Sequence, residues 1–300
     1  RARARRRGSM SVAREVIRGR RARGCPMGLV VVGVDESESA GAALGWAVEV
    51  ARRRGWAVRA VLGWSYFDQH DDLGDESFRP DYTEQDAIDV LDRLVDAVAQ
   101  GSEVERVAVL DLPARAVLGE ARDADLIVVG ARGLGGVQGM VLGSVSQQVV
   151  HHGPVPVAVF RPTEAPGGPV VIGLDGSDNS MHALRWALDE ARAREVSVRV
   201  VHSARRSPFT VRQPRTVDTG VLDAAIAEID TAGLEVETVL ADASPAAALV
   251  AASAAASLVV VGSRGRGGFA GLLLGSVSQH VVNHALCPVV VVPPAERLER

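Results

Sequence analysis

The chain repeats itself. Residues 29–36, LVVVGVDE, align with 169–176, PVVIGLDG, at an offset of 140, and Trp46-Ala47 and Val58-Arg59 align with Trp186-Ala187 and Val198-Arg199 at the same offset. Farther on, LIVVGARGLGG (126–136) aligns with LVVVGSRGRGG (258–268), and LGSVSQQVVHH (142–152) with LGSVSQHVVNH (274–284), now at an offset of 132. The polar stretch 65–82 is therefore a longer version of 205–215. A repeat of this length means two complete domains of one plan rather than a short-period solenoid, and 300 residues suit two domains of roughly 150 each. We expect a first domain over 28–162, a second over 168–300, and a proline- and glycine-rich linker RPTEAPGGP at 161–169 between them.

Within each half, short β-branched runs alternate with helical patterns. Strands are expected at 29–34, 57–62, 104–109, 125–129 and 155–160, and again at 169–174, 196–202, 234–240, 257–261 and 288–292. Helices are expected at 39–54, 84–99, 113–123 and 144–152, with counterparts at 179–194, 218–231, 245–256 and 276–285. The strands are continuous apolar runs, as parallel strands covered on both faces must be. In helix 84–99 the residues Ala87, Ile88, Leu91, Leu94, Val95 and Val98 make one apolar stripe for the sheet. Pro113 and Pro245 stand at helix starts, Pro245 behind the N-capping Ser244. The alternation gives an α/β chain of two tandem doubly wound parallel sheets.

Charge removes several functions. All 33 basic residues are arginines, so a phosphate-loop lysine, a Schiff-base lysine and a catalytic lysine are absent. Residues 1–27 carry +9 and the remainder −13. An acidic body is a poor nucleic-acid surface, whose footprint would be basic. The arginine-rich leader lacks the apolar region of a secretory signal, although its composition overlaps a mitochondrial transit peptide. A disordered basic tail, a cloning remnant and translated sequence ahead of Met10 or Met27 are the alternatives, and a solvated, disordered segment is the expectation. No apolar run approaches the roughly 18 residues of a membrane-spanning helix. Two cysteines, Cys25 and Cys287, make neither a disulfide framework nor a four-ligand zinc site, which fits a reducing, cytoplasmic setting.

In a doubly wound sheet, ligands bind beyond the carboxyl ends of the strands where strand order reverses. The first strands end at Asp35 and Asp175, followed by Ser37 and Ser177. The fourth lead into Gly130-Ala131-Arg132-Gly133 and Gly262-Ser263-Arg264-Gly265, each followed nine residues later by Gly143-Ser144 or Gly275-Ser276. Glycines let backbone approach an anion and, at positive φ, aim successive N–H groups inward. Gly143-Ser144 and Gly275-Ser276 open helices, whose unpaired N–H groups and dipole favour phosphate. Ser144, Ser146, Ser276 and Ser278 add hydroxyl donors, and Arg132 and Arg264 can give charge-assisted bonds to phosphate oxygens. Asp35 or Asp175 suits a ribose hydroxyl or an adenine amino group. A glycine-rich loop can also be only a tight turn, and an aspartate only a turn cap. Two copies with identical spacing favour binding.

The Gly-x-x-Gly-x9-Gly-Ser pattern, with Val-Gly-Val-Asp at the first strand, resembles the nucleotide-binding universal stress proteins, as a tandem member, over nearly all of Met27 to Pro293. The resemblance implies a Rossmann-like, adenine-nucleotide α-hydrolase-like fold with five parallel strands in order 3-2-1-4-5 per half and one ATP, with or without magnesium, in each. Base and ribose contacts then fall at Val34 and Asp35 and at Leu174 and Asp175. Phosphate contacts fall at Gly130, Gly133, Gly143, Ser144, Val145 and Ser146, and at Gly262, Gly265, Gly275, Ser276, Val277 and Ser278. The second strand of the family often ends Leu-His-Val; here the matches are Val201-His202-Ser203 and Val61-Leu62-Gly63, a departure that is larger in the first half. The short fifth strand commonly pairs antiparallel across a two-fold axis, so 155–160 and 288–292 can join the halves as a pseudo-dimer. Whether two chains also form a homodimer stays open.

Other residues read as structural. His280 and His284, and His151 and His152, sit at helix ends where the dipole favours them, without the carboxylate of a metal-binding motif. His202 reads as a packed or hydrogen-bonded residue, Trp46 and Trp186 as core, and Cys287 as a small apolar residue. No catalytic residue is assigned, because no carboxylate or histidine is spaced to orient an attacking water. The expected function is an ATP-binding regulator of a stress or dormancy response, hydrolysing ATP slowly at most. The alternatives are an ATP-hydrolysing or adenylyl-transferring enzyme of the same superfamily, whose loop signatures DESES (35–39) and DGSDNS (175–180) do not supply, and a scaffold without ligand.

Overall fold

A computed structural model describes residues 28–65, 69–70, 76–77, 81–133, 142–203, 220, 227, 229, 231, 233–265 and 273–295. The strands are β1 (Leu29–Gly33), β2 (Ala57–Trp64), the short β3 (Gln69–His70) and β4 (Glu76–Ser77), β5 (Val104–Leu110), β6 (Leu126–Gly130) and β7 (Val157–Phe160) in the first half. The second half has β8 (Val170–Gly173), β9 (Val198–Ser203), β10 (Val236–Ala241), β11 (Leu258–Gly262) and β12 (Val289–Val292). The helices are α1 (Glu38–Arg54), α2 (Glu84–Val98), α3 (Pro113–Glu120), α4 (Ser144–His152), α5 (Asp178–Arg194), α6 (Pro245–Ser253) and α7 (Ser276–His284). Helices α3 and α6 stop about a turn before the expected 123 and 256. The leader, the expected helix over 218–231 and most of 65–82 and 205–215 lie outside the described residues.

Short β3 and β4 pair antiparallel with each other apart from the main sheet; the five other strands of each half are parallel and run in the order third, second, first, fourth, fifth. The two sheets are one: β7 pairs antiparallel with β12, Ala158 opposite Val290, giving ten strands in the order β10-β9-β8-β11-β12-β7-β6-β1-β2-β5. Because side chains alternate across a strand, Val30 and Val32 face α1, α2 and α5, while Leu29 and Val31 face α3, α4, α6 and α7. Each apolar layer continues across the seam between halves. Among the described residues no helix is long and apolar enough to cross a membrane.

Helices α1 and α5 meet at the seam. Arg54 lies over the Trp186 ring at 5.6 Å and Arg194 over the Trp46 ring at 5.3 Å, a reciprocal pair of cation–π contacts between repeat-equivalent residues. Between them Glu190, 2% exposed, accepts from Arg54 Nε at 3.0 Å and Arg194 Nε at 2.7 Å, one arginine on each carboxylate oxygen. The repeat-equivalent position in α1 is Val50, so the pseudo-symmetry breaks here. Trp46 and Trp186 thus close the seam as well as flank the core.

Candidate functional site

Strands β1 and β6 are neighbours, so their carboxyl ends, Val34-Asp35 and Gly130 to Gly133, come together at the switch in strand order. The second half repeats this with Leu174-Asp175 and Gly262 to Gly265. Asp35 Oδ1 accepts from Ser37 N at 3.0 Å and from the Ser37 hydroxyl, and Ser37 in turn caps α1 through Ala40 N. Asp175 does the same with Ser177, at 2.9 and 2.6 Å. The turn-capping role of these aspartates is therefore real. Their second oxygens reach the glycine loop: a Cβ on Gly133 or Gly265 would run into Asp35 Oδ2 or Asp175 Oδ2.

The loop glycines divide into two kinds. Gly130 and Gly262 are packed so tightly that a Cβ would lie 2.6 Å from Ser39 Oγ or 2.9 Å from Asn179 Nδ2. At Gly130 the Ser39 carbonyl would also lie 3.0 Å from a Cβ, whereas at Gly133 and Gly265 the obstacle is the aspartate side chain that packs into the space a Cβ would take. Gly143 and Gly275 differ. Their φ values are −70° and −79°, open to any residue, and a Cβ would come no nearer than 3.7 Å and 3.5 Å to other atoms. The expectation of positive φ at these loop glycines is corrected: among the described residues the positive-φ glycines are Gly55, Gly101, Gly176 and Gly233. Close approach, rather than handedness, selects glycine in the loops.

Gly143 and Gly275 are the N-caps of α4 and α7, and neither helix start carries a side-chain cap. Elsewhere α1, α2, α5 and α6 are capped by Ser37, Thr83, Ser177 and Ser244, while α3 also lacks a side-chain cap and opens on Pro113, which has no N–H to satisfy. Gly143 N donates to Ala131 O at 2.9 Å and Gly275 N to Ser263 O at 2.7 Å, which fixes each helix start against its loop. Intrahelical bonding begins at Gln147 N and Gln279 N. The N–H groups of Ser144, Val145 and Ser146, and of Ser276, Val277 and Ser278, therefore have no acceptor within their helix. Ser146 and Ser278 cannot serve as free hydroxyl donors as expected: both are buried, and each donates to a strand-end carbonyl, Gly130 O at 2.6 Å or Gly262 O at 2.7 Å. What they can offer a ligand is backbone.

Val34 and Leu174 are buried, and their N–H groups donate to Val61 O and Val201 O at 3.0 Å. His202 Nδ1 bonds Leu174 O at 2.7 Å, the hydrogen-bonded role expected of it. Arg132 is exposed and Arg264 half-buried. Sequence reading missed Ser39 and Asn179, one turn into α1 and α5. Asn179 Nδ2 donates to Arg264 O at 3.1 Å, whereas Ser39 Oγ stands 3.5 Å from Arg132 N. Their signal was a polar residue four after each strand-end aspartate, on the helix face that meets the glycine loop. The helix-end histidines lie away from these crevices: His151 Nε2 meets Gln279 Oε1 at 3.1 Å across the seam, and the His280 and His284 rings stack at 4.2 Å. Among the described residues no three His, Cys, Asp or Glu side chains gather as metal ligands.

Comparison with known proteins agrees with this architecture. The universal stress protein family matches residues 27–161 and 168–293. Universal stress protein Rv1996 of Mycobacterium tuberculosis is 32% identical over 299 residues, covering 87% of this chain and 94% of its own. A universal stress protein of Mycolicibacterium smegmatis is 31% identical over 293 residues, covering 88% and 97%. A universal stress protein structure from Archaeoglobus fulgidus shares the fold at 22% identity, with a TM-score of 0.66 over 89% of this chain and 96% of that one. A smaller Archaeoglobus fulgidus universal stress protein, solved in complex with dAMP, is 31% identical over 42% of this chain and 97% of its own, with a TM-score of 0.34.

Proposed function

The chain belongs to the universal stress protein family, and from that premise we propose that it is a nucleotide-binding regulator taking one ATP in each half. Family resemblance supplies adenine; the crevices supply a reason for phosphate. The observation that carries the reading is the pair of uncapped helix starts at Gly143 and Gly275, where glycine is required neither by backbone conformation nor by packing. A row of unpaired N–H groups at the positive end of a helix is stabilised by an anion, and a Cβ at either glycine would occupy the approach to it.

In this reading the phosphate tail takes the N–H groups of Ser144 to Ser146 or Ser276 to Ser278, with Arg132 or Arg264 at the rim. Asp35 or Asp175 stands beside the strand end for a sugar or base donor. Catalysis is not part of the proposal beyond slow hydrolysis. The protein acts by differential affinity, the nucleotide favouring the state that binds it.

ATP at millimolar concentration, with or without magnesium, should raise the melting temperature, as any ligand specific for the native state does. The double variant Gly143→Val, Gly275→Val should keep the unliganded fold and lose that shift. An unchanged melting temperature for the parent chain, together with no nucleotide released on denaturing the purified protein, would end the proposal.

A further inference from the structure

Both crevices share a plan, but they are not equally finished. Buried polar atoms in folded proteins almost always find a partner, and an orphan calls for an explanation such as a missing ligand. Two orphans belong to residues of the second crevice. Arg264 Nε and Asn179 Oδ1 are shut from solvent with no hydrogen-bond partner among the described residues. One is a donor and the other an acceptor. The equivalent residues of the first half, Arg132 and Ser39, leave no such atom: the Arg132 side chain is in solvent, and Ser39 Oγ accepts from Arg132 N at 3.5 Å.

Three further differences run the same way. Asn179 tethers the glycine loop through Arg264 O at 3.1 Å, where Ser39 makes only a 3.5 Å approach to Arg132 N. His202 fixes the strand-end carbonyl of Leu174, where the first half has Leu62, which cannot. The residue after the strand-end aspartate is Gly176 in the second half and Glu36 in the first. Glu36 is 58% exposed, its nearest cation Arg93 at 3.5 Å, so the first crevice carries an extra negative charge beside an anion's position.

The far end of the phosphate helix differs too. Arg161, from the first half, donates to Val282 O and Ala285 O at 2.6 Å each, and so secures the C-terminus of α7. The repeat places Pro293 at the corresponding position for α4, and proline has no such group.

We infer that the two crevices are unequal, and that the second, completed by Asn179 and Arg264, is the tight site for the nucleotide's phosphate tail while the first fills only at higher concentration. This rests on the reading of both crevices as nucleotide sites. Arg264 Nε meets a phosphate oxygen, and Asn179 Oδ1 accepts from a sugar hydroxyl or a hydrated magnesium ion. A charge-assisted hydrogen bond gained and a repulsive carboxylate avoided make about a tenfold difference in affinity or more.

Titration calorimetry of the intact chain with magnesium-ATP tests this. Two classes of site are expected, one nucleotide each, separated by about tenfold or more. The variant Asn179→Ser, Arg264→Ala should bring the tight class down toward the weak one, and Arg132→Ala should weaken the other class alone. Hydrogen exchange of the parent chain at limiting ATP needs no variant: protection should appear first at Ser276 to Ser278 and later at Ser144 to Ser146. Two equal sites, or protection appearing first in the first half, would overturn the inequality and leave the nucleotide reading standing. No binding at either crevice would remove both.

Discussion

At the scale of the residue, the repeat lets each position be judged against its own counterpart. Helix α1 ends on Gly55 in the left-handed region, at φ 65°, and α5 ends on Glu195 at φ 58°. A residue with a Cβ is disfavoured there by about 1–2 kcal/mol, and glycine recovers part of that against its larger unfolded-state entropy. Glu195→Gly should therefore raise the melting temperature, by about 0.5–1 kcal/mol of stability, in thermal or urea unfolding. Cys287 is fully buried, and that burial pushes its thiol up to about 12 from 9.0. The folded chain thus holds this proton after the unfolded chain has released it, so its contribution to stability falls as pH rises above 9. At pH 8 the native thiol should resist iodoacetamide and react only on unfolding, with the rate followed by mass spectrometry. That inert role was legible from Cys-Pro at the start of a buried strand. The orphaned atoms of Asn179 and Arg264 were not, because sequence states which polar residues exist and not which of them lack a partner.

At the scale of the element, the order of strands and helices was readable because each obeys one period and each is bounded by its own signal. Pro113 and Pro245 open α3 and α6, and Ser244 caps the latter, as their positions imply. The site helices were found by Gly-Ser, yet their chemistry was partly misassigned. Ser146 and Ser278 have the same spacing whether the hydroxyl faces a phosphate or a carbonyl, and only the fold brings Gly130 O and Gly262 O beneath them. Each bond staples the first turn of a phosphate helix to the end of a buried strand. Ser146→Ala or Ser278→Ala would leave a buried carbonyl without its donor, at a cost of about 1–3 kcal/mol. Chemical denaturation should show that loss for each variant alone. Because the backbone N–H groups remain, ATP should still raise the melting temperature of the weakened protein. Abolition of the ATP effect with the fold intact would instead return the hydroxyls to the ligand.

At the scale of the molecule, the unit is the ten-stranded sheet rather than the half. The antiparallel β7–β12 pair was expected from the family resemblance, but the clamp beside it was invisible in sequence: Glu190 is a charged residue among the buried Ala187, Leu188 and Ala191, and its partner Arg54 is 136 positions away. Arg54, Glu190 and Arg194 are 14%, 2% and 6% exposed, so two guanidinium groups lie largely out of water around one carboxylate. Such a cluster contributes little net stability over an apolar replacement, but breaking it is costly, because the remaining charges stay buried without a counter-charge. Glu190→Gln keeps the shape and removes the charge. It should cost about 3–5 kcal/mol, which for halves of this size lowers the melting temperature by about 10 °C. The apolar layers run unbroken from one half into the other, so the parent chain should melt in one calorimetric transition whose van't Hoff and measured enthalpies agree. With the clamp broken, the seam keeps its short strand pair, the Arg161 and His151 bonds and the shared apolar layers, but each tryptophan faces an arginine that now repels its neighbour. The halves should then separate first, and the endotherm should broaden or split. Two transitions already present in the parent chain would mean that the seam joins the sheets without coupling their stability.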